Sequence, residues 1–180
     1  TTFICTDKTG TLTRNEMTVL EVWLPAGRAL IDGVGYEPAA EVRCEPAAAS
    51  GALVDLALAA RWCSSGRAVE EEGRWVARGD PMEAALDVLG RRVGAADDTG
   101  GAEAARFPFD ARRRRMSVVV GDRVVVKGAP DAIFPRCSVP EGAVAALQVL
   151  ASRGLRVLAI AARDLAGAPV PSSADAAERD

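Results

Sequence analysis

Residues 2–5 (Thr-Phe-Ile-Cys) are a short run of β-formers, and the chain stops being strand-like at Asp7. Residues 9–13 (Thr-Gly-Thr-Leu-Thr) are small, hydroxylated and glycine-containing, the composition of a loop that wraps around phosphate. A strand that ends on a carboxylate belongs in an open α/β arrangement, where sites collect at the carboxyl ends of strands. An aspartate in that place is set to act as a nucleophile, and the amides and hydroxyls after it would hold a phosphoryl group. The competing structural reading is a polar turn after an edge strand.

The 180 residues suffice for one domain, or one domain plus a fragment of another. Apolar residues reach 49% while aromatics are only 4%, so the core has to be built from Ala, Val and Leu. A net charge of −3 implies no general attraction to nucleic acid or anionic lipid. No apolar run approaches a membrane span and no signal peptide opens the chain, so any transport machinery is expected to lie outside it. The absence of histidine excludes His-based acid–base chemistry and argues against zinc. Cys5, Cys44, Cys63 and Cys137 form no CxxC pair and read as reduced, partly buried thiols in a cytosolic setting. Of 22 basic residues only Lys8 and Lys127 are lysines, which points to two places needing a compact ammonium rather than a planar fork.

Taken in order, residues 17–24 alternate as a strand closed by Pro25 and Gly27, and 28–31 make a second. Residues 32–38 are turn-rich; Gly33 and Gly35 do not complete a dinucleotide loop. Residues 41–51 read as a loop, 52–64 as a helix apolar all round, 67–73 as a charged turn and 74–77 as a short strand. Asp80 fits an N-cap, Pro81 the first helical position and Glu83 a capping box. Met82, Leu86, Leu89 and Val93 then form one helical stripe ended by Gly94. Residues 95–105 look like an acidic, small-residue linker. Residues 116–120 and 123–126 flank a Gly-Asp turn and make a hairpin. The four arginines at 112–115 are a solvated basic edge or a nucleic-acid patch, and the negative net charge disfavours the second. Beyond Lys127 and Gly128 come a short helix at 131–137 and a longer one at 141–153 with Val144, Leu147, Leu150 and Ala151 inward. Residues 155–161 read as a buried strand in which Arg156 needs a partner. The tail after Asp164 reads as irregular.

Several of these stretches resemble segments of one family, the P-type ATPases, ion pumps that carry an aspartyl-phosphate. Asp7-Lys8-Thr9-Gly10-Thr11-Leu12-Thr13 resembles its phosphorylation signature, and Gly35-Tyr36-Glu37-Pro38 its Gly-Tyr-x-Pro segment. Gly79-Asp80-Pro81-Met82-Glu83 resembles GDPTE, with Met82 replacing the usual Thr and losing its hydroxyl. Phe109 through Val118 resembles F-x-x-x-R-K-x-M-S-V. Lys127-Gly128-Ala129-Pro130-Asp131 resembles KGAPE with Asp for Glu, and residues 154–161 resemble the strand whose Arg reaches the nucleotide phosphates. The matches cover about residues 1–165, in the family's order.

The resemblance implies the cytosolic nucleotide-binding domain of a type II, calcium-pump-like cation ATPase, on the cytoplasmic face of a membrane. The implied fold is α+β (α/β): an antiparallel β-sheet flanked by helices, built from the 116–127 hairpin and the 155–161 strand against helices 52–64, 81–93 and 141–153. A fragment of the haloacid-dehalogenase-like phosphorylation domain would occupy 1–14, the nucleotide-binding domain 15–165, and a tail or hinge 166–180. In the intact pump, Asp7 would accept the phosphoryl group of ATP, Lys8 would neutralise charge, and Thr9 would bind the phosphoryl group. Asp7 and the Thr9 carbonyl would hold Mg²⁺. Glu83 would lie at the adenine, Phe109 would stack on it, Arg114 and Arg156 would serve the phosphates, and Lys127 and Gly128 would line the pocket. No TGD or GDGxND-like stretch occurs in the sequence, so the chain is expected to bind ATP without turning it over. Its partners would be the remaining phosphorylation, actuator and transmembrane domains, with no nucleic acid and no direct membrane contact. Two other readings remain: a soluble haloacid-dehalogenase-like phosphohydrolase, and a non-enzymatic module that binds acidic partners through the arginines at 112–115. Against the first, Thr9 stands where such phosphatases carry a second Asp as general acid–base.

Overall fold

The computed structural model describes residues 15–95 and 101–179. The expectations for residues 1–14, including the roles of Asp7, Lys8 and Thr9, therefore lie outside the described residues. Within them the chain is α+β, with antiparallel sheets and helices.

The strands β1 (Glu21–Leu24) and β2 (Gly27–Ile31) form a hairpin across Pro25-Ala26, and β3 (Val42–Glu45) adds to β2. Gly27 is required here: its φ is +148°, and a Cβ would meet the Glu45 carbonyl oxygen at 2.3 Å. β1 begins four residues later than the alternation predicts, and β3 falls inside the expected loop. Its half-exposed pattern hides it from a hydrophobicity reading. Helix α1 (Ser50–Trp62) follows a 3₁₀ turn at Ala47–Ala49. Only one side of it is buried, so the all-round burial expected from its composition is not found. Its first half packs Leu53 and Ala57 on Val22, Leu24, Ala29 and Ile31 of the three-stranded sheet, with Leu89 alongside. Its second half packs Ala59 and Cys63 on Met116, Val118, Val120 and Val125. One helix thus serves two cores.

The expected charged turn at 67–73 is instead most of a hairpin, β4 (Arg67–Glu71) with β5 (Arg74–Arg78). Helix α2 (Pro81–Arg92) begins as its sequence dictates: Asp80 Oδ1 accepts from the amides of Met82 at 2.9 Å and Glu83 at 3.1 Å. Asp87 on α2 is completely buried. It accepts from Arg61 Nε at 3.0 Å, from Arg91 at 3.0 Å and from the Ala68 amide at 3.1 Å. This one carboxylate ties α1, α2 and β4 together.

The four-stranded sheet runs in the order β6 (Glu103–Asp110), β7 (Arg115–Val120), β8 (Arg123–Gly128), β9 (Ala159–Asp164), all antiparallel. The expected linker therefore ends where β6 begins. Pro108 is tolerated because β6 is an edge strand with no second ladder to donate to. Every residue of β7 is buried. Alternate side chains meet α1 on one face, and Leu165 and Ala177 on the other. β9 starts four residues later than expected. Arg156 lies ahead of it in an exposed position, so it is not a buried charge in need of a partner.

The short helix expected at 131–137 is α3 (Pro130–Ile133), continued by a 3₁₀ turn (Phe134–Arg136). α4 (Ala143–Ser152) turns Ala143 and Leu150 inward, whereas Val144 and Ala151, expected inside, are exposed. α4 sits against β1 rather than on the four-stranded sheet. Between β1, α2, β8, α4 and residues 155–163 lies an open apolar cavity of about 870 Å³. The tail is not wholly irregular: Ser173 caps α5 (Ala174–Ala177), and Glu178 behind it is buried against β7.

Candidate functional site

The four-stranded sheet brings one end of each strand into a single row. Asp110 pairs with Arg115, Arg115 with Gly128, and Gly128 with Ala159. At strand spacings near 4.8 Å this row is about 14 Å wide. Phe109, Arg114 and Lys127 each precede a member of the row by one residue, and Arg156 precedes its last member by three. The antiparallel topology therefore gathers Phe109, Arg114 and Lys127, separated by up to 18 residues in sequence, at the same edge, with Arg156 ahead of the ladder.

Helix α2 delivers Glu83 to Lys127. The Lys127 ammonium, on a residue only 2% exposed, donates to Glu83 Oε1 at 2.9 Å and to Ser64 Oγ at 2.8 Å. The Ser64 hydroxyl in turn donates to the Ala60 carbonyl at 2.7 Å. The other Glu83 oxygen accepts from the amides of Ser65 at 2.8 Å and Gly66 at 2.9 Å. Glu83 thus reaches across to the loop after α1, and the capping box that would have spent it on its own helix is not closed. Burial pushes the Glu83 carboxyl up, but the Lys127 hydrogen bond and the two amides outweigh this and hold it below the usual range. A planar guanidinium could not reproduce this pair of bonds from a compact buried head, which accounts for lysine in a chain that otherwise uses arginine. Lys127 has three N–H donors and these partners use two.

Phe109 is 60% exposed near the end of β6, with its ring outside the core. Arg114 has a positive φ of +53° in the β6–β7 loop, and its guanidinium meets Asp131 at 2.7 Å. A non-glycine residue held in that region carries strain and is typical of sites. Gly128 is where the backbones crowd: a Cβ there would meet the Arg114 carbonyl oxygen at 2.5 Å and Arg115 Cα at 2.8 Å. Gly128→Ala is therefore expected to displace the β6–β7 loop and to lower stability by about 1–3 kcal/mol, read as a shift of the urea midpoint.

Arg156 is the candidate that stays apart. Among the described residues no hydrogen bond or ion pair joins it to Glu83, Phe109 or Lys127. It lines the apolar cavity together with Met82. Cys63 lies under the site and is inert, because burial pushes its thiol up to about 12 despite the nearby charges of Lys127 and Arg106.

Sequence reasoning missed Ser64 and the amides of Ser65 and Gly66, and it missed Glu178. Glu178 takes Arg113 and Arg115 as ion-pair partners and accepts from Ser117 Oγ at 3.1 Å. The available signal was Arg115 at the head of a valine-rich, fully buried strand, which demands a carboxylate somewhere.

Comparison with known proteins fits this geometry. Residues 52–143 match the family model described as P-type ATPase, cytoplasmic domain N. The chain is 36% identical over 94% of its length to the probable cation-transporting ATPase F of Mycobacterium tuberculosis, of which the match covers 21%. It is 32% identical over 98% of its length to a calcium-transporting ATPase of Bacillus subtilis, covering 23% of that protein. The chain belongs to the P-type cation-transporting ATPases. As a P-type ATPase segment it spans about a fifth of the length of these relatives. The matched region runs from α1 through the start of α4, so the Glu83–Lys127 pair, Phe109 and Arg114 all fall inside the part of the P-type ATPase that corresponds to its cytoplasmic domain N. Among the described residues, no helix is long and apolar enough to cross a membrane.

Proposed function

We propose that this chain is the ATP-binding part of a type II, calcium-pump-like P-type ATPase, with the nucleotide held at the row that ends on Asp110, Arg115 and Gly128. The observation that carries this reading is that the exposed Phe109 and the buried Lys127, paired with Glu83, each stand one residue before the same row of strand ends. The ring offers a stacking face for adenine. The pair offers a carboxylate for the amino group of the base and one remaining ammonium donor. Arg114 supplies charge toward the phosphates, Gly128 allows close approach of the backbone, and the exposed Arg156 offers a further cation to the phosphates.

In the intact pump, the Asp7 carboxylate attacks the γ-phosphorus of ATP in line. One Asp7 oxygen–phosphorus bond forms, the bond to the β,γ-bridging oxygen breaks, and ADP leaves. Lys8 offsets charge on the transferred group and Thr9 holds it. The Asp7 carboxylate and the Thr9 carbonyl are hard oxygen donors of the kind that suits Mg²⁺, which supplies charge neutralisation when bound. Thr9 in place of a second aspartate leaves the aspartyl-phosphate without a general base, as a transport cycle requires and a free phosphatase does not. The isolated chain is therefore expected to bind ATP and release no phosphate. It works on the cytoplasmic face of a membrane with the phosphorylation, actuator and transmembrane parts of the same protein. An acidic-partner module built on the arginines at 112–115 is disfavoured, because Arg113 and Arg115 are committed to Glu178 and Arg114 to Asp131.

Calorimetric titration with ATP tests the reading. Phe109→Ala is expected to weaken binding by about 1–3 kcal/mol, the contribution of one stacked base. Unchanged affinity in that variant would remove the stacking assignment.

A further inference from the structure

The Glu178 carboxylate is the most deeply buried charge on the face of the four-stranded sheet away from α1, and the proposed function does not use it. Its side chain has no exposure. It takes an ion pair from Arg113, another from Arg115 Nε at 2.6 Å, and a hydrogen bond from Ser117 Oγ at 3.1 Å. Arg115 in turn donates from Nη1 to the Arg113 carbonyl at 3.0 Å. The second terminal nitrogen of Arg113 donates to the Pro108 carbonyl at 2.9 Å. Pro108 is the residue before Phe109. One guanidinium thus spans from the buried carboxylate to the peptide that carries the exposed ring. The same loop is held from its other side by Asp110 Oδ1, which accepts from the amides of Arg112 at 2.8 Å and Arg113 at 2.9 Å.

We propose that Glu178 is a positioning residue for nucleotide recognition: through Arg113 it fixes the Pro108 carbonyl, and so aims Phe109 at the base. The inference rests on the reading of Phe109 as the stacking residue. An exposed ring on an edge strand with proline before it gains no orientation from core packing, so its direction has to come from the backbone that bears it. A planar fork with separate donors can bridge two acceptors in fixed geometry, which an ammonium cannot.

A double-mutant cycle on the whole 180-residue chain, titrated with ATP, tests this. Arg113→Gln keeps the Arg115–Glu178 pair and therefore the fold, and is expected to raise the Kd for ATP about fivefold, the size of a coupling between neighbours. In the Phe109→Ala background the same change is expected to alter Kd less than twofold, because the ring it aims is gone. Glu178→Gln, wherever it folds as judged by its melting curve, is expected to behave as Arg113→Gln does. If Arg113→Gln weakens ATP equally in both backgrounds, the residue acts only on structure or charge and the positioning role is wrong. If Phe109→Ala weakens ATP but Arg113→Gln leaves it unchanged, the positioning role fails while the site stands. If Phe109→Ala itself has no effect, the site reading and the inference fall together.

Discussion

Asp87→Ala is expected to lower the stability of the chain by about 3–5 kcal/mol, the cost of removing one partner from a buried ionic cluster. For a domain of this size that is a fall in Tm on the order of 6–20 °C. Asp87 is the common acceptor for Arg61 of α1, Arg91 of α2 and the Ala68 amide of β4. Removing it takes the shared carboxylate away from guanidiniums that stand only 15% and 30% exposed. It also unties the helix that serves both larger sheets from its neighbour. Asp55→Ala, on the exposed side of α1, is the control and should stay within about 0.5 kcal/mol of the parent. A loss below about 1 kcal/mol at Asp87 would show that the arginines find water instead, and that the cluster does not join these elements.

Lys127→Met has the second large effect, and it acts on stability and binding together. The substitution removes the ammonium from a site where Glu83 depends on it, and about 3 kcal/mol of stability should go with it. A Glu83→Leu change added to Lys127→Met should cost less than the two changes summed, because the stranded carboxylate is then gone as well. The pH dependence gives an independent signature. Glu83 is held below the usual carboxylate range. Its contribution is therefore present above the unfolded-state value near 4.3 and is lost as pH falls through the lower folded value. In Lys127→Met the ammonium is absent, and only the amides of Ser65 and Gly66 still oppose the effect of burial on the carboxyl. The loss on acidification should then be smaller than in the parent, because it scales with how far the folded value lies below the unfolded one. Urea midpoints from pH 3.5 to 7 separate the two profiles, and identical profiles would mean that Lys127 does not govern Glu83.

Elements whose own residues carry the signal were legible. The consecutive valines of β7 and β8 flank a Gly-Asp turn, and α2 announces itself with Asp80, Pro81 and a clean apolar stripe. β4 and β5 were not legible as a pair, because a two-stranded sheet with Ala68 as its one fully buried residue leaves almost no hydrophobic pattern among Arg and Glu. β9 was displaced because residues 155–158 are as apolar as the strand itself, and only the pairing with β8 decides where the ladder starts. At the site, Glu83, Phe109, Arg114 and Lys127 were visible as local patterns. The ion pair between Glu83 and Lys127 was not, since these two meet from 44 residues apart. Arg156 was read as buried from the apolar residues around it, and it is exposed because its segment precedes the ladder. Glu178 had no pattern at all, being a lone carboxylate in an Ala- and Ser-rich tail.

The span of these contacts has a kinetic meaning. Ser64 to Lys127 closes a loop of 63 residues, Arg115 to Glu178 another of 63, and Cys63 reaches Val125 across 62. This edge of the four-stranded sheet is therefore not a local module that forms as its stretch of chain emerges. Its loop-closure entropy is large and is recovered only when distant segments condense together. Folding of this region should be slow relative to its helices, and the row that ends on Asp110, Arg115 and Gly128 is among the last parts of the chain to assemble.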